Sequence, residues 1–239
     1  MAKNFQPFII FLLILLLCHA VHAAPLKTLS LDFTRELTEK GKTEHTTGTL
    51  HYDAEAARVV VQVQEPILQI ILVKDQVMEI YYPVKNRAYR FIFEGRIPLP
   101  FVESILQSTQ VEYGLTALGY SLDKHEITDD VLYTYWTPPE KAKDKLGTII
   151  LGSRDGSLIS TEAKTPNNDL TTKSLYSNHT KLGNSNIPME VSYRLYNAKS
   201  EILECERIVY SNPQFNGQPP NPIFQFEIPK SVAVKEIKW

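Results

Sequence analysis

Cysteine is almost absent from this 239-residue chain, which has two, Cys18 and Cys205. Cys18 directly follows the apolar N-terminal run, so the two do not form the disulfide framework of a small secreted domain. Cys205 reads as a small apolar side chain in a strand. A surplus of one charge is missing as well: 25 Lys and Arg stand against 27 Asp and Glu. That balance gives no electrostatic case for nucleic acid or anionic headgroups as partners. Catalytic signatures are missing too, since there is no Gly-x-Ser-x-Gly, no phosphate-binding glycine loop and no HExxH. Beyond residue 23 the histidines are His45, His51, His125 and His179. His45 and His51 lie six apart, on one side if both belong to a single strand, but no cysteine or carboxylate completes a metal set, and both read as surface histidines. The acidic pair Asp129-Asp130 reads as a solvated turn. We assign no catalytic residue, metal or cofactor, and the chain is not expected to be an enzyme.

Long apolar runs are scarce; there is one, Phe8 to Leu17. Ten residues of helix cover about 15 Å, roughly half a bilayer core. With Lys3 before the run and Val21-His22-Ala23 after it, the segment reads as a secretory signal peptide, residues 1–23, cleaved after Ala23. Cys18 follows Leu17, not the small residue expected before a lipidated cysteine, so it is expected to leave with the signal. Removing Lys3 leaves 24 basic against 27 acidic residues over 24–239, a net charge of −3. That span is long enough for a single domain with a substantial core. The sequon Asn178-His179-Thr180 matters only in a eukaryotic source.

What is present is strand. Leu29, Leu31, Phe33 and Leu37 alternate with Ser30, Asp32, Thr34 and Glu36, the period of a half-buried strand. Gly41 marks a turn and TTGTLHY returns, carrying Leu50. ARVVVQVQ puts Val59, Val61 and Val63 on one face. LQIILV runs through a tight turn at Lys74-Asp75-Gln76 into VMEIYYP, with Met78 and Ile80, and RAYRFIF follows with Phe91. Further strands are expected at YSLDKHEI, VLYTYW, GTIILGS, SLISTEAK, TKSLYSN, MEVSYRLYN, CERIVYSN and IFQFEIP, with Arg154-Asp155-Gly156 as a hairpin turn. Tyr176-Ser177-Asn178 and Tyr210-Ser211-Asn212 are each expected to end a strand. This is an antiparallel meander. One segment departs from it: Leu99 to Gln107 carries Pro100 near its start and Phe101, Val102, Ile105 and Leu106 at helical spacing.

The order of these segments resembles the bacterial periplasmic lipoprotein carriers of the LolA/LolB type. The resemblance runs from DFTRELTEKGKTEHTTGTLHY through the Val59–Val63 strand, Pro66, LVKDQVMEIYYP and Pro100-Phe101. It continues through YSLDKHEITDDVLYTYWTPP and IILGSRDGSLISTEAK to IFQFEIPKSVAVKE. It implies a mostly β (α+β) fold: an incomplete, strongly curved antiparallel β-barrel with short helices covering the open mouth. It also implies an apolar face that receives acyl chains of lipoproteins or other lipids. The ligand-binding residues expected on the face and its lid are Leu31, Phe33, Leu50, Val59, Val61, Val63, Met78, Ile80, Phe91, Phe101, Ile105 and Leu106. The three valines stand where the family often has larger aromatic side chains, which leaves more room.

In function the resemblance implies a soluble, monomeric periplasmic carrier or binding protein for acyl chains of lipoproteins bound for the outer membrane. Its partners would be an inner-membrane donor complex and an outer-membrane acceptor. The alternative is an envelope sensor or assembly module using the same fold to bind protein or lipid. Three features depart from the family: the leading helix is missing, Asp53 to Ala56 replaces a basic residue that helps hold the lid shut, and residues 187–212 read as an added hairpin.

Overall fold

A computed structural model describes residues 26–93, 111–182, 185–217 and 222–238. The predicted signal peptide and the predicted helix over Leu99 to Gln107, with Phe101, Ile105 and Leu106, lie outside the described residues.

The first half is a meander of β1 (Thr28–Glu39), β2 (Lys42–Asp53), β3 (Arg58–Glu65), β4 (Gln69–Lys74), β5 (Val77–Tyr82) and β6 (Arg87–Ile92). A second meander contains β7 (Ser121–Thr128), β8 (Val131–Thr137), β9 (Ile149–Arg154), β10 (Ser157–Lys164) and β11 (Leu170–Ser177). After a two-stranded ribbon, β12 (Thr180–Leu182) and β13 (Ser185–Ile187), come β14 (Glu190–Tyr196), the long β15 (Ile202–Phe215) and β16 (Ala233–Lys238). Fourteen of these strands form one sheet in the order β16-β6-β5-β4-β3-β2-β1-β15-β14-β11-β10-β9-β8-β7. β16 and β7 are its two edges and do not pair, so the sheet stays open. It is antiparallel except at β16, which runs parallel to β6.

The turns explain the meander. Lys40 and Gly41 both have positive φ (51° and 73°), as do Asp155 and Gly156 (50° and 72°). Two successive left-handed residues make the tight turn whose twist matches the flanking strands. Asp129 and Asp130 do the same at 51° and 62°, so the acidic pair is a hairpin tip.

β15 joins the halves, pairing with β1 on one side and β14 on the other. Residues 187–212 hold β14 and most of β15, which therefore lie in the interior of the sheet. Tyr176-Ser177-Asn178 ends β11 as expected, but Tyr210-Ser211-Asn212 lies inside β15. There the register against β1 shifts between Ser30 and Asp32, and Asn212 has φ 50°. A β-bulge absorbs the left-handed residue without ending the strand. The Asn212 amide donates to Asp32 Oδ2 at 2.8 Å, which holds the bulge to β1.

IFQFEIP is not a strand. Pro222–Gln225 is a short 3-10 turn, followed by irregular chain as far as β16. This segment is a strap that covers the face of the sheet opposite the main core. Val60, Ile70, Leu72, Tyr81, Ala88 and Val232 make a second apolar cluster there, with Ile223, Phe226 and Ile228 packed against it. Phe226 stacks on Tyr81 with ring centroids 6.2 Å apart. Proline at both ends of the segment removes ladder donors, and the apolar residues of the sheet beneath it need a cover.

Candidate functional site

Register places the predicted face. Leu31 lies opposite Leu50, Leu50 opposite Val61, Val61 opposite Ile71 and Ile71 opposite Ile80. A parallel row runs from Leu29 through Tyr52, Val59, Val73 and Met78 to Phe91. A third row holds Phe33, Gly48 and Val63. Cross-strand partners point to the same side of a sheet, so these rows form one inner face.

Phe33 depends on Gly48 opposite it. A Cβ at Gly48 would stand 2.9 Å from the Phe33 ring and 2.2 Å from the Gln62 carbonyl oxygen. The missing side chain is what lets the ring lie flat across β2.

Exposure divides the predicted residues into two groups. Leu31, Phe33, Leu50, Val59, Val61 and Val63 are at most 4 % exposed and belong to one cluster. Met78 packs against that cluster but is only half-buried. Ile80 and Phe91 share the face by register and are half-buried too. The inner face is therefore buried over most of β1–β4, Val73 included, and only half-buried at Tyr52, Ile71, Met78, Ile80 and Phe91. Of the residues expected from the sequence, Met78, Ile80 and Phe91 are the ones able to touch a ligand without displacing the core, and Ile71 joins them.

Other members of the face were not in the sequence reading. Trp136, Leu151, Leu158, Tyr176, Val191, Ile208 and Tyr210 extend the cluster across the second half of the sheet. Leu115 and Tyr120, from the 3-10 turns Val111–Gly114 and Thr116–Leu118 and their exit, pack on it together with Ile187 and Met189. Their contacts are non-local, and no periodicity in short turns marks them. Strand alternation could have marked Val191 and Ile208.

Beyond Phe33 the same face turns polar. Arg35 lies opposite Ile208 and pairs with Glu206; the two side chains are 15 % and 9 % exposed. Burial, and then the neighbouring Glu206 charge, push the Glu204 carboxyl above the usual carboxylate range. Burial likewise raises the Tyr193 phenol. The apolar surface thus ends at a compensated charged rim. Among the described residues, no group of three or more His, Cys, Asp and Glu could hold a metal ion.

His51 corrects the reading of a surface histidine: it is 3 % exposed, on the outer face. The Ser30 hydroxyl donates to Nδ1 at 2.9 Å, Nε2 donates to Gln62 Oε1 at 3.4 Å, and the Phe224 ring meets it edge-on at 5.7 Å. His45 is exposed beside Glu36, 3.6 Å away.

No protein-family model matches the sequence, and no curated protein matches it. Solved structures do match. A LolA superfamily protein from Nitrosomonas europaea aligns with TM-score 0.54 and 16% identity over 85% of this chain and 92% of its own. A putative outer membrane lipoprotein-sorting protein domain from Vibrio parahaemolyticus gives 0.54 and 10% over 85% and 92%. A DUF1329 family protein from Desulfovibrio piger gives 0.59 and 11% over 83% and 90%. The chain has the LolA-like fold: mostly β, with a large open antiparallel sheet and few short helices.

Proposed function

We propose that this protein is an exported, non-enzymatic carrier or binding protein for acyl chains, those of lipoproteins bound for the outer membrane. The observation that supports it is the graded inner face, buried at Leu31, Phe33, Leu50, Val59, Val61, Val63 and Val73 and only half-buried at Ile71, Met78, Ile80 and Phe91. An acyl chain is worth about 0.8 kcal/mol per buried methylene, roughly 10 kcal/mol for a long one. Carriage through water needs a shield of that area, and a sheet left open on one side offers it without unfolding. The solved lipoprotein-sorting domain with the same fold points to the same cargo. The route runs through the periplasm, from an inner-membrane donor complex to an outer-membrane acceptor, with the signal peptide removed and the protein acting as a monomer. Among the described residues no helix is long and apolar enough to cross a membrane.

A carrier must also release its load. Ile67 and Leu68, 49 % and 43 % exposed, lie on the β3–β4 connection; Val84, 84 % exposed, lies on the β5–β6 turn. Register puts both connections at one end of the sheet, next to Lys85 and Arg87. Apolar tips beside cations suit the surface of an anionic membrane.

A fluorescent acyl probe tests both steps. The triple change Met78→Ser, Ile80→Ser and Phe91→Ser should weaken capture by about tenfold or more. Ile67→Asp, Leu68→Asp and Val84→Asp together should leave capture intact and slow transfer to anionic vesicles. Unchanged capture in the first variant would remove the inner face from the binding site.

The second reading, a module that binds protein, has one observation in its favour. All eight residues of β7 are exposed at a free sheet edge, a place where a partner strand can add. Failure of the probe to bind the parent protein would bring that reading forward.

A further inference from the structure

The strap roofs a cavity on the outer face, on the other side of the sheet from the proposed acyl surface. Its volume is about 540 Å³, within the roughly 300–1,000 Å³ of clefts that hold small ligands. Leu72 and Val77 form the floor; Ile228 and Val232 belong to the roof. The charged lining is unequal. Arg58, Lys74, Arg90 and Lys230 face only two carboxylates, Glu79 and Glu227. Arg90 is committed to Glu79, at 2.7 Å. Arg58 donates to the Phe226 carbonyl. Among the described residues neither Lys74 nor Lys230 has an ion-pair partner.

Register sharpens the point. Arg58 and Lys74 stand directly opposite one another on β3 and β4, and like charges so placed destabilise a sheet. Leu72 follows on the same face of β4, two residues from Lys74. A cationic end thus leads into an apolar interior, and an anion seated there would offset the charge of the opposed Arg58 and Lys74.

We propose that this cavity binds an anionic amphiphile with a single chain. Its carboxylate or phosphate head lies among Arg58, Lys74 and Lys230, and its chain lies on Leu72, Ile228 and Val232 beneath the strap. This site is independent of the inner face, because the whole thickness of the sheet separates them.

Calorimetric titration with dodecanoate, dodecyl phosphate and neutral dodecyl maltoside, each below its micelle concentration, tests this on the mature chain carrying Met78→Ser, Ile80→Ser and Phe91→Ser, so that the inner face contributes no acyl binding. Saturable binding of either anion is expected, and Lys74→Glu with Lys230→Glu should weaken it by about tenfold or more at unchanged melting temperature. Binding of dodecanoate alone would identify a fatty acid head, and of dodecyl phosphate alone a lipid phosphate. Should the charge-reversed pair unfold, Lys74→Gln with Lys230→Gln replaces it, with the same direction expected. The Met78, Ile80 and Phe91 triple variant should retain this binding, which separates the site from the inner-face reading. Binding unchanged in the lysine variants, equal affinity for the neutral amphiphile, or no saturable binding of either anion would overturn the proposal.

Discussion

Burial holds the His51 imidazole below its ordinary pKa of 6.5, opposed in part by the hydrogen bond to Gln62 and the charge of Asp32. The unfolded chain, with an ordinary imidazole, binds the proton more readily than the folded one. His51 therefore contributes stability that is full above pH 6.5 and is lost as the pH falls from there towards its lower folded value. Melting temperatures taken at about pH 8 and about pH 5 should fall more for the parent than for His51→Gln. Equal slopes would show that the ring is solvated in the folded state. The strand TTGTLHY was legible, but His51 read as a surface histidine and is buried. What hid its burial is Phe224, far along the chain, whose ring closes over it. Gly48 is similar: its strand was legible, but the Phe33 ring it admits comes from the neighbouring strand.

At the scale of the element, the contiguous runs Arg58-Val-Val-Val and Gln69-Ile-Ile-Leu-Val signal strands buried on both faces, as they are. Val59, Val61 and Val63 share the inner face while Val60 belongs to the outer cluster. The strap that makes the second face apolar was not legible, because it is neither periodic nor local and it reads as one more strand. The sequence-based expectation of room around the valines also shifts. Val61, 2 % exposed between Leu50 and Ile71, lies in the sealed part; Ile80 on β5 is half-buried. Val61→Phe should therefore overpack and cost about 1–3 kcal/mol. Ile80→Phe should leave stability nearly unchanged and lower acyl-probe affinity by filling the accessible end. Denaturant unfolding and probe titration of the pair distinguish these sites. Equal destabilisation would mean that β4–β6 is as closely packed as β1–β3.

For the whole molecule, the decisive property is a fourteen-stranded sheet whose edges, β7 and β16, do not meet. A closed barrel of side-chain-filled strands has no accessible interior, whereas an open sheet keeps an apolar face that something else must cover. On the outer side the chain supplies the cover itself, through Phe224, Phe226 and Val232. On the inner side, among the described residues, the 3-10 turns with Leu115, together with Ile187 and Met189, cover part of the face, and Met78, Ile80 and Phe91 are half-buried. The central claim is that acyl chains complete that face. Native mass spectrometry of the protein purified without detergent from the envelope of its own cell tests it most directly, followed by lipid identification. The account predicts bound lipoprotein-type species with several acyl chains, lost in the Met78, Ile80 and Phe91 triple variant and kept in the Lys74 and Lys230 double variant, whereas a single-chain anion held under the strap follows the opposite pattern. A protein that emerges with no acyl species bound, and takes up none when they are supplied, would contradict it.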